Sequence, residues 1–131
     1  MKELRIEAKT ENLETVLDFV ETALEGVSMK RLNQILIAVE EVFVNIANYA
    51  YSPNSGEALI LASVGDFVII EFEDSGVPYN PLEREAPDMA LRAEDRVIGG
   101  LGIHMIRNLM DEVTYRRDGN KNILTIKKEK S

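Results

Sequence analysis

The apolar pattern predicts an α+β fold: a two-layer α/β sandwich, with a mixed, mostly antiparallel sheet and helices on one face. Two observations carry this. Candidate strands come in adjacent pairs joined by short turns, at Gly65-Asp66 and Asp118-Gly119, instead of alternating with helices. Two helical periods also follow one another directly between residues 12 and 50, with no strand between them. The expected order is β-α-α-β-β-lid-α-β-β, and residues 1–131 are expected to form a single domain.

Each element has its own signal. Residues 3–8 alternate, with Leu4, Ile6 and Ala8 on one face of a short strand. Thr10 or Asn12 is a candidate cap for a first helix, whose stripe is Leu13, Val16, Leu17, Val20 and Leu24 and whose terminator is Gly26. Ser28 is a candidate cap for a second helix reaching about residue 50, where a Ser-Pro-Asn-Ser-Gly loop stops it. Residues 57–64 and 67–73 are apolar enough for strands, joined by a two-residue turn. Residues 75–98 hold several charges and no sustained period, which marks a long loop of the kind that serves as a lid. A glycine cluster then opens a helix with the face Ile103, Ile106, Met110 and Val113, before strands at 113–117 and 122–128.

Composition excludes several classes. The chain has 131 residues, 45% hydrophobic and 29% charged, the profile of a soluble globular domain. It has no cysteine, which rules out disulfides and thiolate metal sites and fits a reducing cytoplasm. A net charge of −8 is ill suited to gripping a phosphate backbone, so direct nucleic-acid binding is not expected. No apolar run approaches the roughly 18 residues of a membrane span, and the N-terminus lacks a secretory apolar core.

Three segments carry candidate chemistry. The first is EEVFVNIANYAY, residues 40–51. Leu32, Ile35, Leu36, Val39, Phe43, Ile46 and Ala50 form the core stripe of its helix. Glu41 and Asn45 lie on the other side, one turn apart, yet Ile37, Ala38, Val42 and Val44 flank them. A helix apolar nearly all round is covered on more than one face, so the pair is expected to border a cavity. There Glu41 can serve as a general base and Asn45 as a neutral oxygen ligand for a hard cation; a solvated Glu and a surface Asn are the plain alternative. The second is EFEDSGVPYNP, where Asp74 ends a strand and can accept from an exocyclic amine, with Gly76 letting a flat ring approach. An Asp-Ser-Gly turn that merely ends the strand is its alternative. The third is VIGGLGIHMIR, where Gly99, Gly100 and Gly102 precede a helix, an arrangement whose free N–H groups suit phosphates. Neither a P-loop nor a Rossmann fingerprint is present, and a hinge before a helix is the alternative here.

In this order the three segments resemble the N, G1 and G2 boxes of the ATP-binding superfamily shared by DNA gyrase, the heat-shock chaperone, histidine kinases and mismatch-repair ATPases, whose fold is the Bergerat ATP-binding fold. AVEEVFVNIANYAY, DSGVPYNPLE and GGLGIHMIRNLMDEVTYRRDGNKNILTIKK look more narrowly like the bacterial anti-sigma factor serine/threonine kinases. The resemblance runs from about residue 5 to residue 128 and is expected to leave no appended domain. It implies ATP or ADP and Mg²⁺ as cofactors, Asn45 on the metal and Glu41 as base toward the incoming hydroxyl. It also implies Asp74 on the adenine amino group with Gly76 beside it, and the backbone of Gly100, Leu101 and Gly102 on phosphates. The implied activity is phosphorylation of a Ser or Thr on an anti-anti-sigma (STAS-domain) partner, with a sigma factor as second partner and a homodimer as the assembly. An ATP-dependent binding switch without transfer is the alternative. Tyr49 stands where many relatives carry His, and Val77-Pro78-Tyr79 where others have Gly-Phe. Arg92 and Arg96 fall in the expected lid, where they could reach a phosphate; solvated lid charges are the plain alternative. The sole His104 has no second His or Cys with which to hold a metal.

Overall fold

The structure is a computed structural model that describes residues 1–51, 54–78, 80 and 106–130. Five strands form one sheet: β1 (Lys2–Glu7), β2 (Glu57–Val64), β3 (Phe67–Asp74), β4 (Glu112–Asp118) and β5 (Lys121–Glu129). Their spatial order is β1-β2-β3-β5-β4, and every ladder between them is antiparallel. The mixed sheet expected from sequence is thus an antiparallel one among the described residues. The β2–β3 and β4–β5 ladders are hairpins joined by short turns, while β1–β2 and β3–β5 pair antiparallel across longer connections.

Two helices cover the sheet: α1 (Leu13–Ala23) and α2 (Met29–Asn45). Val16, Val20 and Leu24 are buried, with Leu13 and Leu17 packed beside them. A 3₁₀ turn at Thr10–Asn12 leads into α1. Asn12 holds the N-cap position without capping; its amide Nδ2 instead donates to the Glu7 carbonyl at 3.0 Å. Gly26 ends the α1 region at φ +93°, where a side chain would be strained. Ser28 caps α2 as expected, its Oγ accepting from the Arg31 N–H at 3.4 Å.

The sheet presents Ala58, Ile60, Ala62, Val68, Ile70, Phe72, Leu124 and Ile126 to the core, and α2 answers with Leu32, Ile35, Val39 and Phe43. Val39, Phe43, Ile60, Ile70 and Ile126 are wholly excluded from solvent. Each such side chain contributes about 1.5–3 kcal/mol relative to an exposed one. Ala38 and Val42, on the flank of α2 toward Glu41 and Asn45, are buried as well, whereas Ile37 is 41% exposed. The helix is therefore covered on a second side, though not all round.

Two helix boundaries differ from the sequence expectation. The α-helix stops at Asn45, and Ile46–Ala50 continues as a π-helix. A wider i→i+5 turn leaves no mark in an apolar pattern, because Ile46 and Ala50 stay buried either way. Gly65-Asp66 links β2 to β3 as expected, with Val64 and Val68 the last residues paired across this hairpin. Val113 belongs to β4 and not to the last helix, which is helical at 106–109, with Ile106 and Met110 buried as expected. The second hairpin turns on Gly119-Asn120, with Gly119 at φ +60° between the paired Asp118 and Lys121.

Candidate functional site

Between α2 and the ends of β3, β4 and β5 lies an open cavity. Among the described residues, Val42, Asn45, Ile46, Tyr49 and Ala50 form its helical wall, and Phe72, Asp74, Val77, Tyr115, Asn122 and Leu124 line it from the other side. It is an apolar slot with a few converging polar groups, the usual character of a small-molecule site.

Asp74 closes one end. Its position on β3 puts it on the inward face with Phe72 and Ile70, and it is only 7% exposed. A carboxylate at that depth requires donors. The Gly76 N–H donates to its Oδ1 at 2.9 Å, and Asn122 Nδ2 donates to the same oxygen at 3.0 Å. Both donors that reach Asp74 among the described residues take Oδ1, which leaves Oδ2 to accept from something else.

Asn122 faces Asp74 across the β3–β5 ladder, in register with it. Its Nδ2 also donates to the Val77 carbonyl at 2.8 Å, and its Oδ1 accepts from the Tyr115 hydroxyl at 2.5 Å and from Arg117 Nη1 at 3.1 Å. These partners fix which way the amide points. Arg117 Nη1 reaches the Gly76 carbonyl too, at 3.0 Å. Asn122, Tyr115 and Arg117 were not among the residues picked out from sequence. One signal was legible: Asn122 is polar on the inward face of β5, where Leu124 and Ile126 follow it.

The segment after β3 is held from the helix side as well. The Val77 N–H donates to the Ala50 carbonyl at 3.1 Å. A Cβ on Gly76 would run into that same carbonyl, its carbon and the Ala50 side chain, so glycine is required there by close approach.

Asn45 borders the cavity as expected from sequence, at the last turn of α2. Glu41, one turn earlier, is half-buried but does not line the cavity. Burial raises its pKa above the ordinary carboxylate range, and the neighbouring Glu40 charge adds to the rise. A carboxylate so shifted is a better proton acceptor than an exposed one. Gly99, Gly100, Leu101 and Gly102, the lid from Tyr79 onward apart from Asn80, and Arg92, Arg96 and His104 lie outside the described residues.

The fold is an α+β sandwich with a cavity between one helix and the sheet ends. Residues 6–128 match the histidine kinase-like ATPase domain, and the chain belongs to that family. A serine/threonine-protein kinase of Bordetella bronchiseptica, BtrW, is 28% identical over 94 residues, which is 70% of this chain and 66% of BtrW. The structure is similar to the crystal structure of the RsbU and RsbW domains of a Mycobacterium tuberculosis protein, with a TM-score of 0.68 and 17% identity. That match covers 98% of this chain and 32% of the other. The histidine kinase AdeS of Acinetobacter baumannii also shares the fold, at TM-score 0.53 and 17% identity over 100% of this chain and 70% of its own. The chain thus spans just under two thirds of BtrW and about a third of the mycobacterial protein. Among the described residues no helix is long and apolar enough to cross a membrane.

Proposed function

We propose that this chain binds ATP in the cavity beneath α2 and transfers its terminal phosphoryl group to a serine or threonine of a protein partner. One observation carries the reading: a buried carboxylate, Asp74, with one oxygen committed to Gly76 and Asn122 and the other left to accept from a ligand, beside an apolar slot. An adenine ring fits such a place, since its face is apolar and its exocyclic amine donates. Gly100, Leu101 and Gly102 would offer backbone N–H groups to the phosphates.

The donor set fits Mg²⁺ delivered with the nucleotide. Among the described residues no group of three His, Cys, Asp or Glu side chains is gathered to hold a metal alone. Mg²⁺ is commonly held by one or two protein oxygens together with phosphates and waters, and Asn45 supplies such an oxygen at the cavity wall. When bound, the ion would neutralise phosphate charge. Glu41 would take the proton of the attacking hydroxyl, and its raised pKa suits that task. The partner would be an anti-anti-sigma protein of the STAS fold, and the regulated output a sigma factor; the name of BtrW and the RsbW domain of the mycobacterial relative support this direction. A homodimer in the cytoplasm is the assembly that goes with it.

A second reading keeps the nucleotide and drops the transfer: an ATP-dependent binding switch. It is favoured by one observation, that Glu41 does not line the cavity. Incubation with γ-labelled ATP and STAS-domain proteins encoded beside this gene separates the two. Label on a partner Ser or Thr is the expected result; tight ATP binding with no label on any of them supports the switch.

A further inference from the structure

Tyr51 stands directly after the π-helix and is absent from the cavity wall, yet it joins three parts of the site. Its hydroxyl donates to the Glu57 carbonyl at the start of β2, at 2.6 Å. The same oxygen accepts from the Ser75 N–H at 2.7 Å, one residue beyond Asp74. Its ring lies where a Cβ on Gly56 would be, so Gly56 is small because Tyr51 passes over it. Burial raises the pKa of this phenol, which keeps the proton that the Glu57 carbonyl accepts.

The backbone around Asp74 shows what this does. The amides of Ser75, Gly76 and Val77 donate in turn to Tyr51 Oη, Asp74 Oδ1 and the Ala50 carbonyl. Two of these acceptors belong to adjacent residues, Ala50 and Tyr51, at the end of the helix that carries Asn45. The Gly76 amide can meet Asp74 Oδ1 only if the peptides on either side of it keep their orientation, and Tyr51 holds the one before it.

Resting on the nucleotide reading above, we propose that Tyr51 is a positioning residue for base recognition, setting through Ser75 and Gly76 the direction in which Asp74 presents its free oxygen. It touches no ligand. Its hydroxyl makes the adenine carboxylate selective for an amino group over a carbonyl on the ring.

The test compares ATP with inosine triphosphate, which carries an oxo group in place of the amine, by titration of wild type and Tyr51→Phe. Wild type is expected to prefer ATP. Tyr51→Phe keeps the ring over Gly56 and loses only the hydroxyl, and its preference should shrink roughly fivefold, the worth of one ordinary hydrogen bond. Amide exchange at Ser75 should quicken in the variant while amides in mid-β2 and mid-β3 stay as they were. Equal weakening for both nucleotides, or an unchanged preference, overturns the positioning role. A wild type that binds ATP and inosine triphosphate alike overturns the adenine reading itself, and this inference with it. A Tyr51→Phe chain that melts far below wild type and exchanges all amides quickly makes Tyr51 a general fold residue, which also overturns the proposal.

Discussion

The two ends of the cavity are built differently. At the Asp74 end, strand register and turn backbone hold everything: β3 and β5 place Asp74 opposite Asn122, and Tyr115, Arg117 and Gly76 fill in around them. At the Asn45 end, one helix carries Asn45 on the cavity wall and Glu41 a turn earlier, off the wall, half-buried and with a raised pKa. A network of satisfied donors and acceptors tolerates one geometry only, whereas a helix-borne pair is free to change rotamer when a ligand arrives. On the proposed function, recognition would fall to the first end and reaction to the second.

Substituting each end in turn should separate those roles. Glu41→Gln should give the largest effect, a fall of about 10²- to 10⁴-fold in phosphoryl transfer rate with ATP affinity nearly unchanged, measured by single-turnover label transfer and by titration. The pH profile sharpens it. Because burial lifts the Glu41 pKa, the base form is lost at a higher pH than for an ordinary carboxylate. Wild-type turnover should therefore fall on acidification from above that ordinary range, and the Glu41→Gln profile should lack this limb.

Asp74→Asn acts at the other end and should cost roughly 10- to 100-fold in ATP affinity by calorimetry. The new side chain can keep its oxygen toward Gly76 and Asn122, so the fold is conserved, while a donor replaces the free acceptor. A melting temperature within a few degrees of wild type would confirm that recognition and not folding was lost. Gly76→Ala, at the junction of the two ends, should have the smallest functional effect of the three and a structural one instead. Its Cβ meets the Ala50 backbone, which cannot swing aside, so a loss of about 1–3 kcal/mol in unfolding free energy is expected from denaturant titration.

How much of this was legible beforehand follows the same division. Asn45, Asp74 and Gly76 stand in local motifs, where a residue type at a short spacing carries its chemistry; Asn45 and Asp74 line one cavity, and the Gly76 N–H donates to Asp74 beside it. Strand positions and the Ser28 cap followed from periodicity and turn chemistry. Asn122 was not legible as a partner of Asp74, because strand register joins them across 48 positions. Tyr51 lay inside a quoted motif, but its hydroxyl bonds to Ser75 and Glu57 depend on how the π-helix delivers the chain, which no apolar period records. The antiparallel order of the sheet was open for the same reason, since periodicity fixes faces and not neighbours.

The distance between Asp74 and Asn122 also bears on biosynthesis. The chain emerges from the ribosome with β3 well before β5, and the central pairing β3–β5 joins residues 48 positions apart. Until β5 docks, Asp74 lacks its Asn122 donor and the cavity lacks the Leu124 and Tyr115 walls. On the proposed function, a nascent chain halted before residue 121 would carry the helix of Glu41 and Asn45 without a place for a base. Nucleotide affinity would then mark the moment at which translation has delivered the closing hairpin.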